Sequence, residues 1–160
     1  MGVARTLLIV IGAVLTLLGT YVFALFPFLF GTLGSGLGFA MNLPMIIGVD
    51  PGADAVVFYL LLVLFIVWLA SGVLQFVGLK SKVVGIIFSL VPLAIGLMFI
   101  LLVYTEILGT MSALFFLMTV ADPISEFFPM YIELAGMGLG VYLLLAGGVL
   151  GVVGSSLPKD

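Results

Sequence analysis

Four long apolar stretches restrict this chain to a membrane-embedded fold. They cover residues 6–30, 55–79, 83–104 and 134–157, and each supplies the roughly 20 apolar residues that a helix needs to cross a bilayer core of about 30 Å. Charged side chains make up only 7% of the 160 residues, and the mean hydropathy is +1.56. A soluble globule of this length cannot bury so much apolar surface. The sequence therefore predicts an all-α integral membrane protein with four transmembrane helices in a bundle.

The basic residues predict how this bundle is oriented. With four crossings, all of them fall on one side of the membrane, and the positive-inside rule makes that side cytoplasmic. They are Arg5, Lys80, Lys82 and Lys159. Six of the seven acidic residues fall on the other side, and only Asp160 lies inside. We therefore expect a protein of the plasma membrane, with both termini in the cytoplasm.

Two apolar outer segments, residues 31–54 and 105–133, connect the helices on the opposite side. Residues 107–120 are apolar, but fourteen residues form a helix of only about 21 Å, which is too short to span the bilayer. We expect an interfacial or re-entrant segment here, or an extension of the third helix. The same interpretation applies to the short apolar patch at residues 41–47.

A shift of 77 residues aligns the first half of the chain with the second. It places Arg5 on Lys82 and Gly19 on Gly96, as a tandem duplication of a helical hairpin would. Such copies would be related by an axis along the membrane normal. Any two helices rich in leucine, valine and glycine also align this well, so the duplication is one of two open interpretations.

Several classes of function are disfavoured by missing residue types. The chain has no Cys and no His, which removes thiol nucleophiles, disulfides and the metal sites that depend on these ligands. Four basic residues offer no surface for nucleic acid. No ionisable side chain lies in the middle of a predicted span, whereas ion and proton paths normally need one. We therefore expect no catalytic residue, cofactor or metal site, and no enzyme activity.

Small residues on the fourth helix predict close helix packing. In lipid, helices associate largely through small-xxx-small faces that let two backbones approach each other. The spacing puts four small residues on one face of this helix, and a weaker version occurs on the first. These residues are Gly140, Gly147, Gly151 and Ser155, with Gly12 and Gly19 on the first helix. The face can serve packing within one chain or contact between subunits.

A proline and two polar or aromatic side chains inside the spans have alternative interpretations. Pro92 removes the amide that would bond to the carbonyl of Phe88, which produces either a hinge or a static bend. Gln75 can form an interhelical hydrogen bond or line a pore, but a residue that reaches headgroup water is favoured. We expect the indole N–H of Trp68 to donate to a carbonyl or hydroxyl on a neighbouring helix.

Aromatic and apolar residues in the second outer segment predict an interaction surface. They lie outside the hydrocarbon core of a four-span protein, where apolar side chains must meet headgroups, the first outer segment or another protein. The candidates are Leu114, Phe115, Phe116, Phe127, Phe128 and Tyr131.

These observations favour a non-catalytic membrane protein that acts by helix–helix association. It would work as a homo-oligomer or as an accessory or scaffold subunit of a membrane complex, with lipids and other membrane chains as partners. The alternative is an oligomeric channel or transporter for neutral or weakly polar solutes. In that case Pro92 would provide the bend, and Thr16, Gln75 and Ser89 would be among the lining residues.

Overall fold

The computed structural model describes residues 2–27, 31–106, 116, 118–122, 124 and 128–158. Most of these residues are helical. The helices are α1 (Val3–Leu17), which continues as a π turn (Leu18–Val22), α2 (Gly36–Ile47), α3 (Ala55–Gln75), which ends in a 3-10 turn (Phe76–Leu79), α4 (Lys82–Tyr104) and α5 (Leu139–Ser156). We call the end of the bundle that carries the α3–α4 connection the inner end, and the opposite end the outer end.

Four helices are long and apolar enough to cross a membrane, which confirms the expected number of candidate spans among the described residues. They are Val3–Val22, Ala55–Leu79, Lys82–Tyr104 and Leu139–Ser156. The second and third begin and end within one residue of the predicted bounds. The direction in which the termini face and the duplication of the hairpin stay predictions.

The first span is shorter at its outer end than the sequence predicts. A helix was expected over residues 6–30, but it begins at Val3 and ends at Val22, and Phe23 is already extended. The backbone beyond pairs with other segments instead. The amide of Ala24 donates to the carbonyl of Met130 at 2.9 Å, and that of Leu25 donates to the carbonyl of Gly34 at 2.7 Å. Met130 is remote from Ala24 in sequence, whereas Gly34 follows Leu25 after a short connection, and hydropathy reveals neither pairing.

The fourth span begins five residues later than predicted. A helix was expected from Leu134, but this residue lies in a hairpin of β4 (Glu133–Leu134) and β5 (Met137–Gly138), and α5 begins at Leu139. The two turn residues have positive φ angles, 49° at Ala135 and 78° at Gly136. This is the tight turn that suits the twist of a two-residue hairpin.

The outer end of the bundle is covered by short strands and α2. β1 (Phe26–Pro27), β2 (Leu33–Gly34) and β3 (Val120–Ala121) form a small antiparallel sheet that joins the two outer segments. The serine before α2 extends this pairing, since the amide of Ser35 donates to the carbonyl of Thr119 at 3.0 Å. The two outer segments therefore fold together.

An aromatic core fills the outer half of the bundle. The rings of Phe65 and Trp68 on α3 lie 5.5 Å apart, and the Phe99 ring on α4 lies 6.5 Å from Trp68. Phe39 of α2 adds a ring 5.1 Å from Phe65, and Phe26 of β1 lies 5.5 Å from Phe99. All five side chains are buried. Offset and edge-on ring pairs of this kind add to the stability that burial alone provides.

Trp68 does not make the hydrogen bond that the sequence predicts. Its side chain is fully buried, and its indole nitrogen Nε1 finds no acceptor within the described part of the chain. The prediction was wrong because ring packing, and not the N–H group, sets the orientation of this side chain.

Candidate functional site

The inner half of the bundle contains a group of buried polar side chains, here called the inner polar cluster. Its members come from α1, α3, α4 and α5, and none is more than 1% exposed. They are Arg5, Thr16, Gln75, Ser89 and Ser155. Polar groups buried at this depth are costly unless they are hydrogen-bonded, so their partners decide what the cluster can do.

Gln75 links three helices at the centre of the cluster. Its Nε2 donates to Thr16 Oγ1 on α1 at 3.0 Å and to the Phe88 carbonyl on α4 at 3.4 Å. The expectation that Gln75 reaches headgroup water is therefore wrong, because the side chain is fully buried. The side chain forms an interhelical hydrogen bond instead, the other interpretation of its sequence position.

Pro92 explains why Gln75 finds an acceptor on α4. Since proline has no amide hydrogen, the carbonyl of Phe88 one turn earlier has no helical donor, and Gln75 Nε2 takes the missing place. α4 runs without interruption through Pro92, which is buried. Whether Pro92 acts as a hinge or as a static bend stays a prediction.

Arg5 lies inside α1, although the sequence placed it at the water boundary before the first helix. Its guanidinium is 1% exposed, with Nη2 donating to the Gly78 carbonyl at 2.5 Å and Nη1 to the Leu79 carbonyl at 3.3 Å. These carbonyls end the 3-10 turn after α3, where unpaired carbonyls and the helix dipole favour a positive charge. The carbonyls that bind Arg5 lie at the end of α3, over 70 residues away along the chain, and this helix end was the sequence signal for the position of Arg5.

Glycines bring the backbones of α1 and α5 into contact. A Cβ atom on Gly12 would lie 2.7 Å from the Gly151 nitrogen, and one on Gly19 would lie 2.7 Å from the Gly140 carbonyl oxygen. A Cβ atom on Gly147 would lie 2.7 Å from the Gly12 carbonyl oxygen. Gly12, Gly19, Gly140 and Gly147 therefore lie where α1 and the turn after it meet α5, within this chain. The backbone of Gly151 also contacts Gly12, but a Cβ atom on Gly151 would meet Ser89 of α4.

The remaining small residues of α5 face other helices of the same chain. A Cβ atom on Gly148 would lie 2.9 Å from the Leu93 nitrogen of α4. Ser155 Oγ lies 2.9 Å from the Cβ position of Gly78, in the turn after α3. The small residues of α5 thus serve contacts with α1, with α4 and with the inner end of α3.

Three polar atoms of the cluster lack a hydrogen-bond partner among the described residues: Arg5 Nε, Gln75 Oε1 and Ser155 Oγ. The amide and hydroxyl groups can bind water or a neutral solute, but they do not exchange protons near neutral pH. Within the described residues, no three Asp or Glu side chains come together as a metal site would require. The hydrogen bonds of Gln75 and Arg5 join helices, and the amide and hydroxyl groups of the cluster can contact a neutral molecule.

The predicted outer interaction surface is divided by the structure. Phe116 packs edge-on against Phe26 with ring centroids 4.8 Å apart, so it contributes to the core. Phe128 and Tyr131 are partly buried, and burial together with the Glu133 carboxylate raises the pKa of Tyr131. The other three candidates lie outside the described residues: Leu114, Phe115 and Phe127.

Sequence reasoning placed Met130 among the apolar residues of the second outer segment, but it missed the exposed Ile132 and Leu134 that follow. Met130, Ile132 and Leu134 are 38%, 49% and 50% exposed, and we call them the outer apolar strip. They alternate along an extended segment, so their side chains point to the same face. The alternation was a usable signal, but residues from 134 onward were assigned to a helix.

No protein-family model, curated protein or solved structure matches this chain. Its function is therefore argued from two features, the inner polar cluster and the outer apolar strip.

Proposed function

We propose that this is a non-catalytic four-span membrane protein that acts by association within the bilayer. It forms a homo-oligomer or serves as an accessory or scaffold subunit of a membrane complex, in contact with lipids and with other membrane protein chains. We further propose that it resides in the plasma membrane with both termini in the cytoplasm. The exposed Lys80 and Lys82 at the inner end support this orientation.

The outer apolar strip is the observation that carries the proposal. Glu133 lies between Ile132 and Leu134 and is exposed, and a carboxylate avoids the hydrocarbon of the bilayer. The hydroxyl of Tyr104, the last residue of α4, donates to the carbonyl of Ala135 in the adjoining turn. The strip therefore ends beside an exposed carboxylate at the outer end of α4. Another protein chain would bury its apolar surface.

The glycine contacts support the choice of this surface. Gly12, Gly19, Gly140, Gly147 and Gly151 all pack against another helix of their own chain. A partner helix cannot use the same backbone contacts without displacing α1 or α4. Association through a surface outside the bundle interior requires no such change, which again favours the strip.

The mass of the purified protein tests this proposal. We expect the full chain, extracted in mild detergent, to have a detergent-corrected mass above that of one 16.9 kDa chain. Replacing both Ile132 and Leu134 by Ser should lower the mass to that of one chain without lowering the unfolding temperature, because both residues are about half exposed.

The matched control replaces two exposed apolar residues on α3 by Ser. Val56 and Leu60 are 74% and 67% exposed, so the control changes a similar amount of apolar surface elsewhere. This variant should keep the mass of the wild-type assembly. A wild-type mass of one chain with no companion protein, or equal masses for both variants, would contradict the proposal.

A second candidate function is an oligomeric channel or transporter for neutral solutes. One observation favours it: the residues proposed to line a path, Thr16, Gln75 and Ser89, lie in one cluster on the inner side of Pro92. For a solute to pass, Gln75 would have to release Thr16. Glycerol flux into proteoliposomes, reduced by Gln75→Leu, would support this function. Flux equal to that of protein-free liposomes would leave association as the function.

A further inference from the structure

α2 packs antiparallel to α3 through large side chains at two positions. The Cβ position of Gly36 lies 3.1 Å from Trp68 Cη2, and the Phe39 and Phe65 rings are 5.1 Å apart. Moving three residues forward on α2 thus moves three residues back on α3. Trp68 lies thirteen residues from Ala55, or about 20 Å at 1.5 Å per residue. α2 therefore rises beside the outer half of α3.

The outward face of α2 is entirely apolar. Leu37, Met41, Pro44 and Met45 recur at helical spacing and share this face, and Met41 and Met45 are 52% and 68% exposed. Asn42 has the only polar side chain in this helix, and its Nδ2 donates to the carbonyl of Val120 at 2.7 Å. A helix that faces water normally turns its polar residues outward, and α2 does the opposite.

The backbone that leads into α2 meets the requirement for burial in a membrane. Non-helical backbone at membrane depth is tolerated where it is buried in protein and hydrogen-bonded. Ser35, the residue before α2, is 1% exposed. Its amide donates to the Thr119 carbonyl at 3.0 Å, and its Oγ accepts from the Gly38 amide at 2.9 Å. The deep end of α2 therefore needs no contact with water.

We propose that α2 is a re-entrant helix inserted in the outer leaflet, with its outward face in contact with lipid acyl chains. At the corresponding levels of α3, Tyr59 and Val63 are exposed as well, by 52% and 59%. A second copy of the chain fits less well. A stable protein interface buries roughly 800 Å² per partner over about 20–30 residues, whereas this face of α2 offers four side chains.

Spin labels at single cysteines test the proposal, because the chain has no Cys of its own. Extending the spacing of the Gly36–Trp68 and Phe39–Phe65 contacts along both helices places Met41 level with Val63 and Met45 level with Tyr59, so each α2 position has a matched position on α3. The four variants, Met41→Cys, Val63→Cys, Met45→Cys and Tyr59→Cys, are labelled in vesicles of phosphatidylcholine and phosphatidylglycerol. Collision rates with oxygen, which concentrates in lipid, and with a water-soluble nickel chelate give the depth of each label.

We expect all four labels to collide with oxygen and to be shielded from nickel. Position 41 should match position 63 and lie deeper than position 45 by about 6 Å, four residues at 1.5 Å each. Labelled proteins that unfold at the wild-type temperature verify the fold. Nickel access at 41 and 45 while 59 and 63 remain shielded would overturn the proposal by placing α2 in water. Shielding of 41 and 45 from both reagents would overturn it by placing a protein chain there.

Discussion

Replacing Gly147 by Ala should destabilise the bundle of a single chain. The added Cβ would lie 2.5 Å from Thr16 Oγ1, 2.7 Å from the Gly12 carbonyl oxygen and 2.8 Å from the Thr16 nitrogen, whereas ordinary contacts begin at 3.4 Å. The last two atoms belong to the backbone of α1 and cannot rotate away. α1 and α5 must therefore separate by about 0.7 Å, the shortfall from ordinary contact, and overpacking of this kind costs about 1–3 kcal/mol.

The separation also weakens a hydrogen bond, because Thr16 Oγ1 accepts from Gln75 Nε2 at 3.0 Å. Interhelical hydrogen bonds in membranes contribute about 0.6 kcal/mol on average, so this loss adds little to the packing term. We therefore expect Gly147→Ala to reduce the free energy of unfolding by about 1–3 kcal/mol. Circular dichroism in mixed micelles with increasing dodecyl sulfate measures the change.

Gly48→Ala is the matched control for this substitution. Gly48 has a φ angle of −86°, and the nearest atom to its Cβ position is the Met45 carbonyl oxygen at 3.6 Å. The control should therefore unfold as the wild type does. Equal stability of Gly147→Ala and Gly48→Ala would refute the α1–α5 contact. A lower assembly mass for Gly147→Ala with unchanged stability would identify the glycine face as a subunit contact instead.

Two further substitutions test the inner polar cluster. Gln75→Leu leaves a carbonyl of α4 without a donor, so we expect a loss of about 1–2 kcal/mol in the same unfolding assay; wild-type stability would show that the amide contributes nothing. Arg5→Met removes both hydrogen bonds to the inner end of α3 and should cost about 1–3 kcal/mol. Lys82→Met is its control, because Lys82 is exposed, and equal effects of the two would contradict the role given to Arg5.

The bounds of α3 and α4 were predictable because charges mark both ends of each span. Asp54 precedes α3, Lys80 follows it, and Lys82 and Glu106 flank α4. Charged groups avoid the hydrocarbon, so their positions fix where such helices begin and end. No charge lies at the outer end of α1 or close to the start of α5, except Glu133 in the hairpin. There the helix ends depend on strand pairing, with Met130 after the end of α1 and within the β4–β5 hairpin before the start of α5.

The inner polar cluster was predictable only in part. The sequence indicated Thr16, Gln75 and Ser89 as possible lining residues of a path, but their convergence depends on how four helices pack. Arg5 was misplaced because a charge near a terminus normally indicates water. Its burial depends on two carbonyls at the end of α3, a tertiary contact that no local pattern contains.

The outer apolar strip was not predicted because the apolar residues at its end resemble the start of a helix. Residues 134–138 follow a carboxylate and lead into a glycine-rich helix, so their hydropathy resembles a helix start. The chain forms a hairpin here instead, with positive φ angles at its turn residues Ala135 and Gly136. Leu134 thereby leaves the bundle and becomes exposed, in line with Ile132.

A photoreactive amino acid at Ile132, activated in intact membranes, tests the central claim of association most directly. We predict discrete cross-linked protein bands, either a dimer of this chain or an adduct with one companion chain. The same group at Val56 on α3 should give lipid adducts, because Val56 is 74% exposed on a candidate span. Lipid adducts alone at Ile132 would contradict the claim that this protein acts through a protein contact at its outer end.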